Sequence, residues 1–547
     1  MPEHWWKDAI IYAVDVERYC DSDGDGIGDF KGLTSQLHHI AELGVTCIWL
    51  LPFFPSADRD NGYSITDYIR VDSRFGLFED FLEFVHKAGE RGIRVIIDLV
   101  VHHTSNQHPW FQAARHNEAS RYRDYYVWAH HPPPTPPGKG TIFPGEEETV
   151  WTYDEVARAY YHHRFYHFEP SLNHANPEVR AEIERVLDYW MSFGIAGFRI
   201  DAASHIEETP MSSSGEDEDS PDVLREIFKR ATSYKADAML LGEVDESPGK
   251  LEEFFDGTRL NMMFNFLLDN YLILALAEEK CDPVHRGLAM LPTPPVNGQW
   301  ANFLRNLDEA DLERLTPQEL ETVFRVFAPD EDMRIYGRGL RRRLAPMLGG
   351  DMQRIKMAWS LLFSMPGAPM FVYGDEIGMG EDLSQPGRDS VRSPMQWSAE
   401  ANGGFSRAPA GKLMQPASAD APFGFKQVTV EEQRSRPDSL LSFMTELAFL
   451  RRAHTQIGSG FCSTLETGSD QVLAHHYKSE ATPLLLLHNL GSKAAEIDLS
   501  VPAGTGDLAP LFGGETPLMK EGRLKMRLEP YGLRWLGVPS TRSGAQT

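Results

Sequence analysis

The sequence predicts an α/β protein: a (β/α)₈ TIM barrel with an inserted subdomain after its third strand and a C-terminal antiparallel β-sandwich. Three observations predict it. Eight short apolar runs alternate with helix-like segments. These runs are continuously apolar, as in strands covered on both faces, rather than alternating. Towards the end of the chain the helical segments stop and strand-like runs follow one another.

The first strand is read at "AIIYAVDV". An acidic loop follows, then a helix, "LTSQLHHIAELG", that ends at Gly44. "VTCIWLLP" is the second strand, "FEDFLEFVHKAGERG" a helix closed by Gly92, and "IRVIIDLVVHH" the third strand. From Thr104 to Asn173 the chain turns aromatic, His-rich and Pro-rich, which is too long for a plain loop. Helical spacing returns in "NPEVRAEIERVLDYWMSFG". Five further strands are read at "IAGFRID", "AMLLGEV", "LNMMFNF", "QWANFLRN" and "APMFVYGDE". The expected division is 1–103 with 174–455 for the barrel, 104–173 for the insert and 456–547 for the β domain. Within the last, strands are expected at "QVLAHHYK", "PLLLLHNL", "AAEIDLSV" and "LKMRLEPYGLRWLGV". "SSSGEDEDSPD" is read as an acidic surface loop and the "STRSGAQT" tail as loose.

The 547 residues carry a net charge of −27, from 53 basic and 80 acidic side chains. That excess argues against nucleic acid and against an anionic membrane as partners. It leaves a small neutral ligand, or acidity that only maintains solubility. No run reaches the roughly 18 apolar residues of a membrane helix, and the opening "MPEHWWKDAIIYAVDV" lacks the plan of a signal peptide. Cys20, Cys47, Cys281 and Cys462 show no metal spacing and no disulfide framework, so a reducing cytoplasm is the expected location.

Barrel enzymes place their chemistry at the C-terminal strand ends. Here the third strand ends on Asp98 and His103, the fourth on Arg199 and Asp201, the fifth on Glu243 and the seventh on Asp308. Two carboxyls in unlike environments are what glycoside hydrolysis requires. Arg199 and Asp201 lie two apart on a strand and share a face, so the cation would keep Asp201 ionised. Glu243 follows an apolar strand, and burial would raise it towards a working acid. Asp308 would grip sugar hydroxyls. Against this stands the plain reading that Arg-x-Asp is a structural ion pair.

At these residues the chain resembles glycoside hydrolase family 13, the α-amylase family, over nearly its whole length. "GFRIDA" is similar to the nucleophile motif, "LLGEV" to that of the acid/base and "FLRNLD" to that of the transition-state stabiliser. The resemblance implies Asp201 as nucleophile, Glu243 as acid/base and Asp308 as stabiliser. "DNGYSITDY" implies Asp60 and Tyr63 at a glucose subsite that His103 also contacts. "VRSPMQW" implies that Arg392 pairs with Asp60 and walls off the pocket. Within the family "SNQHPWFQAAR", "DYYVWA", "RRRLAPML" and "GDEIGMGEDL" resemble the trehalose synthase branch, and oligo-1,6-glucosidases more distantly. That branch implies isomerisation of maltose and trehalose, with side hydrolysis. The chain departs from the family pattern at His102 (usually Asn), Leu307 (usually His), Ser64 (usually Asp) and Ser171 (usually Asp, in "EPSLN" for "QPDLN").

The loop "DSDGDGIGDF" places Asp21, Asp23, Asp25 and Asp29 at positions 1, 3, 5 and 9 of a calcium-type loop, with the Ile27 carbonyl at 7. Gly32 stands where the bidentate Glu would be, and a strand precedes the loop, so a signalling EF-hand is not expected. A structural Ca²⁺ clamping the first β/α loop is, as in the resembling glucosidases; an acidic turn without an ion is the alternative. Among the aromatics of the insert, Trp110, Phe111, Tyr160, Tyr161 and Phe165 either stack on sugars or form a small core. The pairs His130–His131 and His162–His163 are read as surface or pocket-rim residues. Three functions follow: an isomerase of maltose and trehalose, a hydrolase or transglucosidase on the same α-glucosides, or a non-catalytic sugar-binding relative. Assembly into a homo-oligomer is left open.

Overall fold

The computed structural model describes residues 4–57, 59–135, 140–206, 222–419, 422–479, 483–502, 508–514, 518–520 and 522–537. The tail and nearly all of the acidic "SSSGEDEDSPD" segment lie outside them, as does part of the Pro-rich run.

Eight parallel strands close into a barrel: Ile11–Val14, Cys47–Leu50, Arg94–Leu99, Gly197–Ile200, Met239–Gly242, Met262–Phe264, Gln299–Asn302 and Ala368–Val372. Each falls in a run the sequence predicts. Each pairs with its predecessor, and closure is made by Ile11 opposite Met370. All but Arg94 are buried, because interior and surrounding helices cover both faces. Gly197 explains one close approach: with φ at 149°, a Cβ there would sit 1.9 Å from the Met239 carbonyl oxygen. The fourth and fifth strands thus draw together just before the residues that carry the site.

The helices form for local reasons. Residues Pro177–Met191 start on Pro177 behind Asn176, whose side chain accepts the Glu178 N–H. Val179, Ile183, Val186, Leu187 and Trp190 make the buried stripe. Trp190 donates to the Tyr68 carbonyl at 2.7 Å and so pins the chain leading into the insert. The helix Phe266–Glu278 is different. It is buried from Phe266 through Leu276, packed between the helices Asp282–Met290 and Pro317–Phe327.

The insert carries a three-stranded antiparallel sheet in the order Trp128–Ala129, Ala159–His162, Trp151–Asp154. Phe111, Tyr126, Trp128 and Tyr161 pack on one another beneath it. His162 and His163 are buried, not surface or rim residues: His162 lies in the central strand, and His163 contacts Thr152 Oγ1 and the Phe165 carbonyl, each at 3.0 Å. His130 and His131 are exposed. A second small sheet follows the seventh barrel strand, from Ala310–Asp311, Gly339–Leu340 and Arg334–Ile335.

The C-terminal domain is antiparallel, a five-stranded sheet against a three-stranded one. Its run "LLLL" is explained by burial on two sides. Leu485 and Leu487 enter the sandwich core, while Leu484 and Leu486 belong to the core shared with the barrel. Ser360 on the barrel helix Met352–Ser364 meets His488 Nε2 and Trp535 Nε1, each at 2.9 Å. All four cysteines are free thiols. Among the described residues no helix is long and apolar enough to cross a membrane.

Candidate active site

The strand ends converge on a cavity of about 690 Å³ at the C-terminal mouth of the barrel. Asp60, Tyr63, His103, Arg199, Asp201, Glu243 and Asp308 line it together. Its other half is strongly polar, with Asp245, Glu246, Lys250, Asp311, Glu313 and Arg314 in the wall.

Arg199 is the hub. Nη1 lies 2.7 Å from Asp201 Oδ1 and 2.6 Å from Asp98 Oδ1, and Nη2 lies 2.9 Å from Glu243 Oε2. The expected Arg199–Asp201 pair is present, and the same guanidinium also serves Asp98 and Glu243. Burial raises Asp201 well above the usual carboxylate range; Arg199 pulls it back, and the charges of Glu243 and Asp98 push it up again. Asp98, fully covered by Trp49, Tyr63 and Arg199, is pushed by burial to about 6. The three close acids share one positive charge, so none of them has a cation of its own. Glu243 is also less enclosed than its strand implies. Its side chain is 27 % exposed, and Oε2 accepts from the Ala202 N–H at 2.9 Å.

Asp308 has the opposite setting. Burial works upward, but Arg388 at 3.2 Å and Arg392 at 2.7 Å pull it down to about 2. This overturns the expected pairing of Arg392 with Asp60. Arg392 is committed to Asp308 and to the Leu307 carbonyl, at 2.6 Å, and lies behind the cavity wall. Among the described residues Asp60 makes no ion pair within 4.0 Å, and burial raises its carboxyl against the pull of Arg388 and Arg392. Asp60 and Asn61 both hold positive φ, 46° and 49°, in the turn that presents them. Leu307 is buried away from the cavity, so it supplies nothing to a sugar. Ser64 and Ser171 are buried with hydroxyls that lack a partner.

Sequence reasoning missed Arg388 and Glu309. Arg388 binds Glu309 through two nitrogens, at 2.6 and 3.1 Å, besides Asp308. Its spacing four before Arg392 was a usable signal. Of the five aromatics singled out, Phe165 lines the cavity, while Phe111 and Tyr161 lie in the core of the insert.

In the acidic loop, Asp21, Asp23 and Asp29 each bring one carboxylate oxygen within 4.8 Å of the others. Asp21 and Asp29 are buried, and burial together with the neighbouring acids raises Asp23. Clustered hard oxygen donors of this kind fit Ca²⁺. Asp25 stands outside the cluster and instead accepts the Ile27 N–H at 2.8 Å.

Paired acids at successive strand ends, sharing one arginine above a barrel, define a class: barrel enzymes that act on glycosidic bonds. Comparison with known proteins narrows the class. Residues 11–460 match the model of the α-amylase catalytic domain, and residues 482–537 that of the sucrose hydrolase-like C-terminal domain. The chain is 40% identical to a trehalose synthase of Thermus thermophilus over 96% of its own length and 55% of that protein's. It is 36% identical to a trehalose synthase/amylase of Mycolicibacterium smegmatis, over 99% of this chain and 94% of that one. An α-amylase crystal structure from H. orenii superposes with a TM-score of 0.80 at 28% identity, covering 97% of this chain and 100% of that one. The chain belongs to the α-amylase family, glycoside hydrolase family 13, and is an α-glucosyl enzyme of that family.

Proposed function

We propose that the protein is a retaining enzyme that interconverts maltose and trehalose through a β-glucosyl-enzyme intermediate. The observation that carries this is the three-acid constellation: Asp201 and Glu243 on one guanidinium, and Asp308 held anionic by two others. The identity to trehalose synthases over nearly the whole chain supports the choice of substrate.

In the first step Asp201 attacks the anomeric carbon and the glycosidic bond breaks, with Glu243 giving its proton to the leaving oxygen. The oxocarbenium charge that develops in the transition state favours Asp201 as the anion beside it. Asp308, ionised throughout the working pH range, binds hydroxyls of the ring as it flattens. Asp60, Tyr63 and His103 hold the glucosyl unit. In the second step a hydroxyl of the retained glucose attacks the anomeric carbon, the glucosyl ester to Asp201 breaks to free the carboxylate, and Glu243 takes the proton of the attacking hydroxyl. Asp21, Asp23 and Asp29 would hold a Ca²⁺, whose chemistry is structural: it neutralises the loop and stiffens it. The domain boundaries after residues 103, 173 and 455 are retained in this reading.

A second reading, hydrolysis or transfer to another acceptor, is favoured by the polar half of the cavity, which is well suited to hold water. The test is incubation with maltose, with trehalose and with nitrophenyl α-glucoside, following products by NMR. Trehalose from maltose is expected; glucose as sole product would replace isomerisation by hydrolysis.

A further inference from the structure

Arg18 lies behind the glucose-holding end of the cavity, and the mechanism does not use it. It stands in the four-residue helix Val16–Tyr19 after the first barrel strand, with its side chain 3 % exposed. A second cavity, of about 220 Å³, opens beside it. Asp60 lines both cavities, so its turn is the partition between them. Arg18 and Asn61 line only the smaller one.

Five side chains converge on the guanidinium. Nη1 donates to Asp15 Oδ2 at 2.7 Å and to Glu17 Oε2 at 2.9 Å, and Nε donates to Gln415 Oε1 at 3.2 Å. Nη2 is divided between two other loops. It donates to Asn61 Oδ1 at 3.1 Å and to Asp389 Oδ1 at 3.2 Å. Asn61 follows Asp60. Asp389 follows Arg388, and its carbonyl accepts the Arg392 N–H at 3.2 Å. These are the two arginines that hold Asp308. One planar fork thus ties the Asp60 turn to the segment that fixes Asp308.

The turn needs such a tie. Asp60, Asn61 and Gly62 hold φ of 46°, 49° and 98° in succession. Asp and Asn tolerate the left-handed region better than most residues, but two in a row persist only where the surroundings hold them. Within the turn the Tyr63 N–H reaches the Asp60 carbonyl at 3.0 Å, and the Gly62 N–H reaches that of Arg59 only at 3.4 Å. Among the described residues, Arg18 is the one side chain that bonds Asn61.

We propose that Arg18 is a positioning residue: by holding Asn61 and Asp389 on one guanidinium, it sets the Asp60 carboxyl against Asp308 across the glucosyl unit. It touches no sugar and acts through the two loops. A role confined to neutralising Asp15 and Glu17 would leave sugar binding unaffected.

The inference rests on the reading that Asp60 and Asp308 hold glucose. Its kinetic test follows consumption of maltose whatever product forms, so hydrolysis in place of isomerisation does not touch it. Asn61→Gly removes the acceptor, suits the positive φ and changes no charge. It is expected to raise KM about tenfold, as for one lost charge-assisted hydrogen bond, with little change in kcat or Tm. Arg18→Lys keeps a charge beside Asp15 and Glu17 but loses the fork, and should raise KM at least as far. In the double variant the effect of Asn61→Gly should vanish, because its partner is already gone. Crystal structures, which need no turnover, should show the Asp60 turn displaced in both single variants, with Asp201 and Glu243 in place. Effects that multiply in the double variant, a fall in kcat at unchanged KM, or an unmoved Asp60 in Arg18→Lys would overturn the assignment.

Discussion

The molecule has two acidic clusters that solve the same electrostatic problem in different ways. In the loop at Asp21–Asp29 the carboxylates take backbone N–H groups: Asp21 accepts from Asp23, Gly24 and Gly26, and Asp29 from Ser22 and Gly32. At the strand ends Asp98, Asp201 and Glu243 share the Arg199 side chain. The first arrangement is mostly local, with Ser406 adding one hydroxyl donor to Asp21 from a distant loop. The second draws on strands far apart in sequence and is short of positive charge. A structural site neutralises its acids; a catalytic one leaves them unequal.

The contrast breaks most visibly in activity. Asp201→Asn is expected to lower kcat by at least about 10⁴-fold on any substrate found, measured by product NMR. The same variant should melt slightly higher than wild type at neutral pH, because it removes a crowded buried acid. Arg199→Leu should cost about 3–5 kcal/mol in denaturant unfolding, since it strands buried carboxyls without a cation. Asp29→Ala, which removes the cap of the helix Phe30–Ser35, should cost about 1 kcal/mol. Chelation of Ca²⁺ should lower Tm by a few degrees and leave activity at room temperature intact; an unchanged Tm would mean that the loop needs no ion.

The pH response sharpens the comparison further. Asp98 is raised to about 6, so the folded state binds its proton more tightly than the unfolded chain does. Stability from this group is therefore lost as pH rises from about 4 through 6. Burial lowers His475 and His488 to about 3, with opposite effect. Their neutral forms are no burden above about 6.5, and stability falls by up to about 1.4 kcal/mol per pH unit for each as pH drops below that. His475→Leu should flatten the acid limb of a Tm–pH curve; an unaltered limb would place acid sensitivity elsewhere.

What could be read from the sequence follows the same divide. The eight barrel strands were legible because burial on both faces writes continuous apolar runs. The loop acids were legible because their spacing is local. Asp201, Glu243 and Asp308 were legible as strand ends. The pairing of Arg392 with Asp308 rather than Asp60 was not, since it depends on which loops meet in space. The strand Cys462–Thr464 is short and weakly apolar, Ala509–Phe512 is short and carries Pro510, which speaks against a strand, and the small sheet after the seventh barrel strand is held by loop contacts.

The most direct measurement is covalent trapping. A fluorinated glucosyl fluoride slows release of the glucosyl group, and peptide mass spectrometry then locates it. A single adduct on Asp201, lost again when an acceptor sugar is added, is the expected result. An adduct on Glu243, or continued turnover with inverted anomeric configuration and no adduct, would contradict double displacement through Asp201.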